Sequence, residues 1–144
     1  MKTIKLLSAL AMLTAFTSCD ILKQATNTTT GTVFSINGKW RLVSNIPANT
    51  LQNTVVTVSP FISQGKITTL ANSAECLREG DVKWKAITSD NSNGYTIDDL
   101  QNSCNSSSLK YLPANITVIN NDEIRITGKN NMGLNNVQVW DRVK

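Results

Sequence analysis

Eight short runs of alternating apolar and polar residues, each cut off by a cluster of Asn, Gly, Ser, Asp or Pro, leave this chain little choice but a β-sheet. The runs fall at 39–44, 54–58, 66–70, 82–87, 95–100, 116–119, 123–127 and 137–143. Alternation is cleanest where Val82, Trp84 and Ala86 oppose Lys83 and Lys85, and where Ile124 and Ile126 oppose Glu123, Arg125 and Thr127. Each of these runs has one dry face and one wet face. Asn, Ser and Thr together supply about a third of the residues, a composition of strands and turns. No connection is long and apolar enough for a crossover helix, so neighbouring strands should pair antiparallel as a meander. An open meander of eight strands exposes two edges, and curling it until the last run meets the first removes them. The predicted fold is all-β: one up-and-down antiparallel eight-stranded barrel over 36–144.

If the first strand points up, the connections at 71–81, 101–115 and 128–136 share the top rim. The shorter turns at 59–65, 88–94 and 120–122 share the bottom, which places a mouth at the top. The inward positions are then Val56, Val58, Ile67, Val82, Trp84, Ala86, Tyr95, Ile97, Ile116, Val118, Ile124, Ile126, Val137 and Val139. A barrel of this size either fills itself with side chains or holds one small ligand.

Ahead of the barrel, the basic start with Lys2 and Lys5 runs into an apolar stretch from Leu6 to Phe16 that ends at Thr17, Ser18 and Cys19. That stretch is too short to span a bilayer comfortably and reads as a cleaved segment. It resembles the lipoprotein export signals of Gram-negative bacteria. The resemblance implies a signal peptide over 1–18 and acyl chains on Cys19 that hold the protein to a membrane outside the cytoplasm. The outer membrane is favoured over the inner, although Asp20 acts as a retention signal in some bacteria. An ordinary secretory signal with an incidental cysteine would leave the compartment unchanged. The Thr-rich segment 19–35 has no sustained apolar period and reads as a flexible tether. Under export, Cys76 and Cys104 remain as an even pair in an oxidising compartment, in two connections of the same rim. A disulfide between them would contribute about 3 kcal/mol by restricting the unfolded chain. Free redox thiols are the alternative, without the usual Cys-x-x-Cys spacing.

The chain has no histidine, which removes Ser-His and Cys-His nucleophile pairs, an imidazole base and histidine metal ligands. The net charge of +4 drops by two once Lys2 and Lys5 leave with the signal, and the basic residues are scattered, with no nucleic-acid footprint. Asp98 and Asp99 are adjacent on one strand, point to opposite faces and read as solvated charges. Asp90 to Gly94 lacks the later acidic ligand of an EF-hand and reads as a strand-joining turn. Glu75, Glu79 and Asp81 read as a wet rim. No predicted inward face supplies an acid or a base, so the expectation is a protein without catalytic residues, metal or cofactor.

Gly38, Lys39 and Trp40 open the first strand in a manner similar to the Gly-x-Trp signature of lipocalins, and Arg142 stands on the last strand where that family carries an arginine. The chain thus resembles a lipocalin-like domain of small bacterial envelope lipoproteins. The resemblance implies that Arg142 packs over Trp40 at the closed end of the barrel. It also implies a cup for a small apolar or amphipathic ligand, lined by Val56, Val58, Ile67, Trp84, Tyr95, Ile97, Ile116, Val118, Ile124, Ile126, Val137 and Val139. A filled barrel that docks another envelope protein through its top loops is the alternative, and an enzyme ranks third.

Overall fold

The computed structural model describes residues 34–48, 50–71, 77–90, 92–101 and 109–144. The signal, Cys19, Cys76 and Cys104 lie outside the described residues, as does the tether up to residue 33. Eight strands follow one another: β1 (Gly38–Ile46), β2 (Val55–Val58), β3 (Gly65–Thr69), β4 (Val82–Ser89), β5 (Gly94–Gln101), β6 (Lys110–Val118), β7 (Glu123–Lys129) and β8 (Asn135–Arg142). Every strand pairs antiparallel with its sequence neighbour, and β8 returns to β1, with Trp40 opposite Arg142 and Leu42 opposite Trp140. The sheet is a closed barrel. With β1 pointing up, Ile46, Val82, Gln101, Lys110 and Asn135 mark the upper end, and Gly38, Val58, Gly94, Val118 and Arg142 the lower.

The lower half is filled by aromatic side chains. Trp40, Trp84 and Trp140 are fully buried, and Trp84 meets Trp140 edge to face with centroids 4.9 Å apart. Gly65 makes room for them: a Cβ there would stand 2.7 Å from Val56 Cγ1 and 2.8 Å from Trp84 Cε3. Around the rings pack Val56, Val58, Ile67, Tyr95, Ile97, Ile116, Ile124 and Ile126, all buried, with Val118 partly buried against them. Lys39, Arg41, Lys66, Thr96, Thr117 and Arg125 lie exposed on the outer surface.

Several expectations need correction. Phe34 and Ser35, assigned to the tether, belong to the folded body. Phe34 is buried, with its ring 6.1 Å from both Trp40 and Tyr95. β6 starts six residues before the expected 116, because Pro113 is accommodated within the strand. β7 joins β6 only from Ala114, so the stretch containing Pro113 is paired on one side alone, where a missing N–H is tolerated.

Bulges on β4 and the phase of β8 cause the remaining differences. Between the pairs Gly65↔Trp84 and Lys66↔Val82, β4 carries one extra residue, Lys83. Lys83 and Trp84 are consequently both buried, and Val82 is only half-buried. A second bulge between Lys85 and Thr88 holds Ala86 at φ 53, exposed, with Ile87 buried beside it. On β8 the buried set is Asn136, Gln138 and Trp140, while Val137 and Val139 are half-buried on the opposite face.

Candidate functional site

Two constellations stand out, one at each end of the barrel. At the lower end Arg142 is a hub. Its guanidinium lies over the Trp40 ring, 4.2 Å from the centroid. Its Nε donates to the Asn121 carbonyl at 2.7 Å, Nη1 to Asn37 at 2.8 Å and Nη2 to Ser35 at 2.7 Å. One side chain therefore ties β8 to the β6–β7 turn and to the segment that crosses the barrel floor. Burial pulls the guanidinium below its ordinary pKa, and Asp122 works in the opposite direction. Gly38 sits at φ +125, and a Cβ there would stand 2.9 Å from Arg142 Nη1, so the glycine keeps this approach open. Trp40 completes the floor by donating its Nε1 proton to the Ile36 carbonyl at 2.7 Å.

At the upper end lies a polar network inside the barrel. The Lys83 ammonium contacts the Asp99 carboxylate and donates to the Leu100 carbonyl at 2.8 Å. Asp99 also accepts from Gln101 Nε2 at 2.6 Å and from Gln138 Nε2 at 2.8 Å. Gln138 Oε1 in turn accepts from Trp140 Nε1 at 3.0 Å, which connects the network to the aromatic core beneath. Lys83 and Asp99 are almost wholly buried, 3% and 1% exposed. Paired so closely, their charges cancel locally, and the carboxylate accepts from three donors, one on Oδ1 and two on Oδ2. Asp99 does point away from Asp98, but it is not a solvated charge. The interior does hold an acid and a base, contrary to the sequence expectation.

Above the network opens a pocket of about 40 Å³, lined by Leu42, Asn45, Leu51, Lys83, Leu100, Gln101, Asn136 and Gln138. Asn45 Oδ1 and Asn136 Oδ1 are buried without a hydrogen-bond partner. A buried acceptor left unpaired costs roughly 1–3 kcal/mol, so both asparagines are held inside at some expense to the fold. None of the twelve interior residues expected to bind a ligand lines it. Val56, Val58, Ile67, Trp84, Tyr95, Ile97, Ile116, Ile124 and Ile126 pack solidly in the core, and Val118, Val137 and Val139 are half-buried. Apolar alternation selects core residues, whereas this site is polar and is reached through a bulge. The usable signal was the phase of Trp140, which carries Gln138 and Asn136 inward, and that of Tyr95 and Ile97, which carries Asp99.

The remaining candidates are turns. Asp90 Oδ1 accepts from the Ser92 and Gly94 amides at 2.8 and 3.0 Å, closing the β4–β5 connection. Hydrogen bonds led by that from Ser92 hold the Asp90 carboxyl below its ordinary range, against the smaller effect of burial. Glu79 accepts from the Leu70 amide and Asp81 from that of Arg78, so both brace the β3–β4 connection. Glu75 lies outside the described residues. Among the described residues, no cluster of three or more acidic or cysteine side chains could hold a metal ion.

Fold and site together define a small closed antiparallel β-barrel, stoppered below by aromatic rings and an arginine, with a polar pocket above. No family model, curated protein or solved structure matches this chain.

Proposed function

We propose that this chain is an exported, lipid-anchored envelope protein of lipocalin-like type, whose barrel takes up a small amphipathic molecule by its polar end through the upper mouth. The observation that carries the reading is the small polar pocket, lined by Asn45, Lys83, Gln101, Asn136 and Gln138, at one end of an otherwise filled barrel. Ligands that are swallowed whole occupy sites of roughly 300–1,000 Å³, so a pocket of about 40 Å³ grips one group of a molecule and leaves the rest outside. The stacking of Arg142 over Trp40, with Gly38 beside it, supports the lipocalin-like reading.

Anchoring rests on Cys19 and the basic-apolar segment before it, and the outer membrane is the proposed site. Metabolic labelling with a fatty-acid probe should mark the protein, and Cys19→Ala should abolish the label and release the chain from membranes. Retention of the label in that variant would end the anchoring proposal. Native mass spectrometry of protein taken from its own membrane tests uptake: a reproducible added mass is expected, and an unliganded spectrum from gentle extraction counts against it.

A second reading, a filled barrel that docks another envelope protein, draws on a different observation. Ile46, Leu109, Met132 and Leu134 are large apolar side chains exposed at the upper end. Crosslinking from Lys110 or Lys129 separates the two, because a pure carrier yields no consistent protein partner.

A further inference from the structure

Among the described residues, the most exposed large apolar side chain lies at the lower end of the barrel. Phe61 is 91% exposed on the β2–β3 turn, with Ile62 exposed beside it and Ile119 exposed on the β6–β7 turn. Apolar side chains grouped in this way mark a surface that something covers. Directly above the Phe61 turn, Lys39, Thr57 and Lys66 stand opposite one another on β1, β2 and β3, and no acid shares their row. Both lysines are exposed on the outer wall, because their neighbours Trp40 and Ile67 point inward. The acids of the lower turns are engaged elsewhere: Asp122 pairs with Lys144 at 3.2 Å, and Asp90 accepts from two amides of its own turn.

What covers this end follows from where the chain leaves it. Phe34 packs against Trp40 and Tyr95 in the floor, so residues 19–33 are joined to the lower end. Fully extended they reach about 50 Å, so acyl chains on Cys19 hold this end within that distance of a bilayer. The upper rim also shows apolar side chains, Ile46, Leu109, Met132 and Leu134, but lies a barrel length further from the attachment. We infer that the lower end, led by Phe61 and Ile62, rests in the surface of the bilayer that carries the Cys19 acyl chains, with Lys39 and Lys66 meeting its anionic head groups. The inference rests on the proposed anchoring and adds which side of the barrel faces lipid. Exposed apolar area and adjacent basic charge act together in such a contact. The upper pocket then opens away from the anchoring bilayer, and its ligand arrives from the opposite side.

The test uses the full lipidated chain, ¹⁵N-labelled, in nanodiscs of phosphatidylcholine and phosphatidylglycerol that carry a nitroxide-labelled lipid. Co-migration with the discs reads anchoring, and broadening of amide signals reads which end faces lipid. The Phe61, Ile62 and Ile119 amides should broaden about five-fold or more beyond those of Met132 and Leu134. Phe61→Ser combined with Ile62→Ser should remove most of the broadening at Lys39, Thr57 and Lys66 and leave Tm unchanged, since the Phe61 ring is almost fully exposed. Met132→Ser should alter neither. Strongest broadening at Met132 and Leu134, or none in the barrel while the chain still co-migrates, overturns the orientation and leaves anchoring standing. Failure to co-migrate overturns both. Equal broadening in discs of phosphatidylcholine alone overturns the part given to Lys39 and Lys66.

Discussion

Lys83 shows how one inserted residue can change the character of a barrel interior. Alternation with Val82 and Trp84 puts it on the wet face in the sequence, yet the bulge opposite Gly65 and Lys66 turns it inside, where only Asp99 makes its charge tolerable. Removing one member of a buried pair leaves the other uncompensated, so Lys83→Met should cost about 3–5 kcal/mol in urea unfolding. The double variant Lys83→Met with Asp99→Leu should recover most of that loss, since apolar replacement of a whole buried pair is often neutral or stabilising. A double variant as unstable as the single would show that the network, and not the isolated charge, sets the cost. Asp99 itself was readable, because Tyr95, Ile97 and Asp99 share one strand phase. Lys83 was not, because a bulge leaves no mark in residue type.

At the scale of the strand, the number, order and pairing of elements follow from alternation and turn chemistry, and the closed meander is the architecture observed. What alternation misplaced was phase. Val137 and Val139 look like core, but Trp140 decides β8, and its polar companions Asn136 and Gln138 go in with it. Gln138 is tolerated inside because Asp99 and Trp140 wait for it, which a run of residue types does not display. Pro113 misled for a related reason, since it sits in the part of β6 that β7 does not reach.

Two element-level predictions follow from contacts. Gly65→Ala would drive a methyl group into Val56 and Trp84, and should cost about 1–3 kcal/mol by overpacking, measured by thermal or urea unfolding. The β4–β5 turn is held by an ionised Asp90 whose pKa is lowered in the fold. Its contribution is therefore present above the ordinary carboxylate pKa of about 3.9, and is lost as pH falls through the lower folded value. Asp90→Ala should accordingly differ in Tm from the parent at pH 6 and converge with it on acidification below about pH 4.

Taken whole, the molecule is a ring whose lower opening is sealed by residues that precede the first strand. Phe34 and Ile36 lie across the floor, and Arg142 fastens them from the far end of the chain. Arg142→Ala should cost about 3 kcal/mol, since carbonyls lose a charged donor and Trp40 its stacked cation. Lysine at 142 should recover less than half, having no planar fork to reach Ser35, Asn37 and Asn121 together. Hydrogen exchange should quicken first at 34–37 and along the β1–β8 seam, and equal protection in parent and variant would contradict the hub role.

Because Phe34 and Lys144 both lie at the stoppered pole, everything joined to either extremity departs from the same side of the molecule. A fluorescent or affinity tag placed after Lys144 would leave the opposite rim unobstructed, whereas an insertion in the β7–β8 hairpin at 130–134 would stand on that rim. Labelling strategies for this protein are thus dictated by polarity: the tail and the hairpin set a label at opposite poles of the ring.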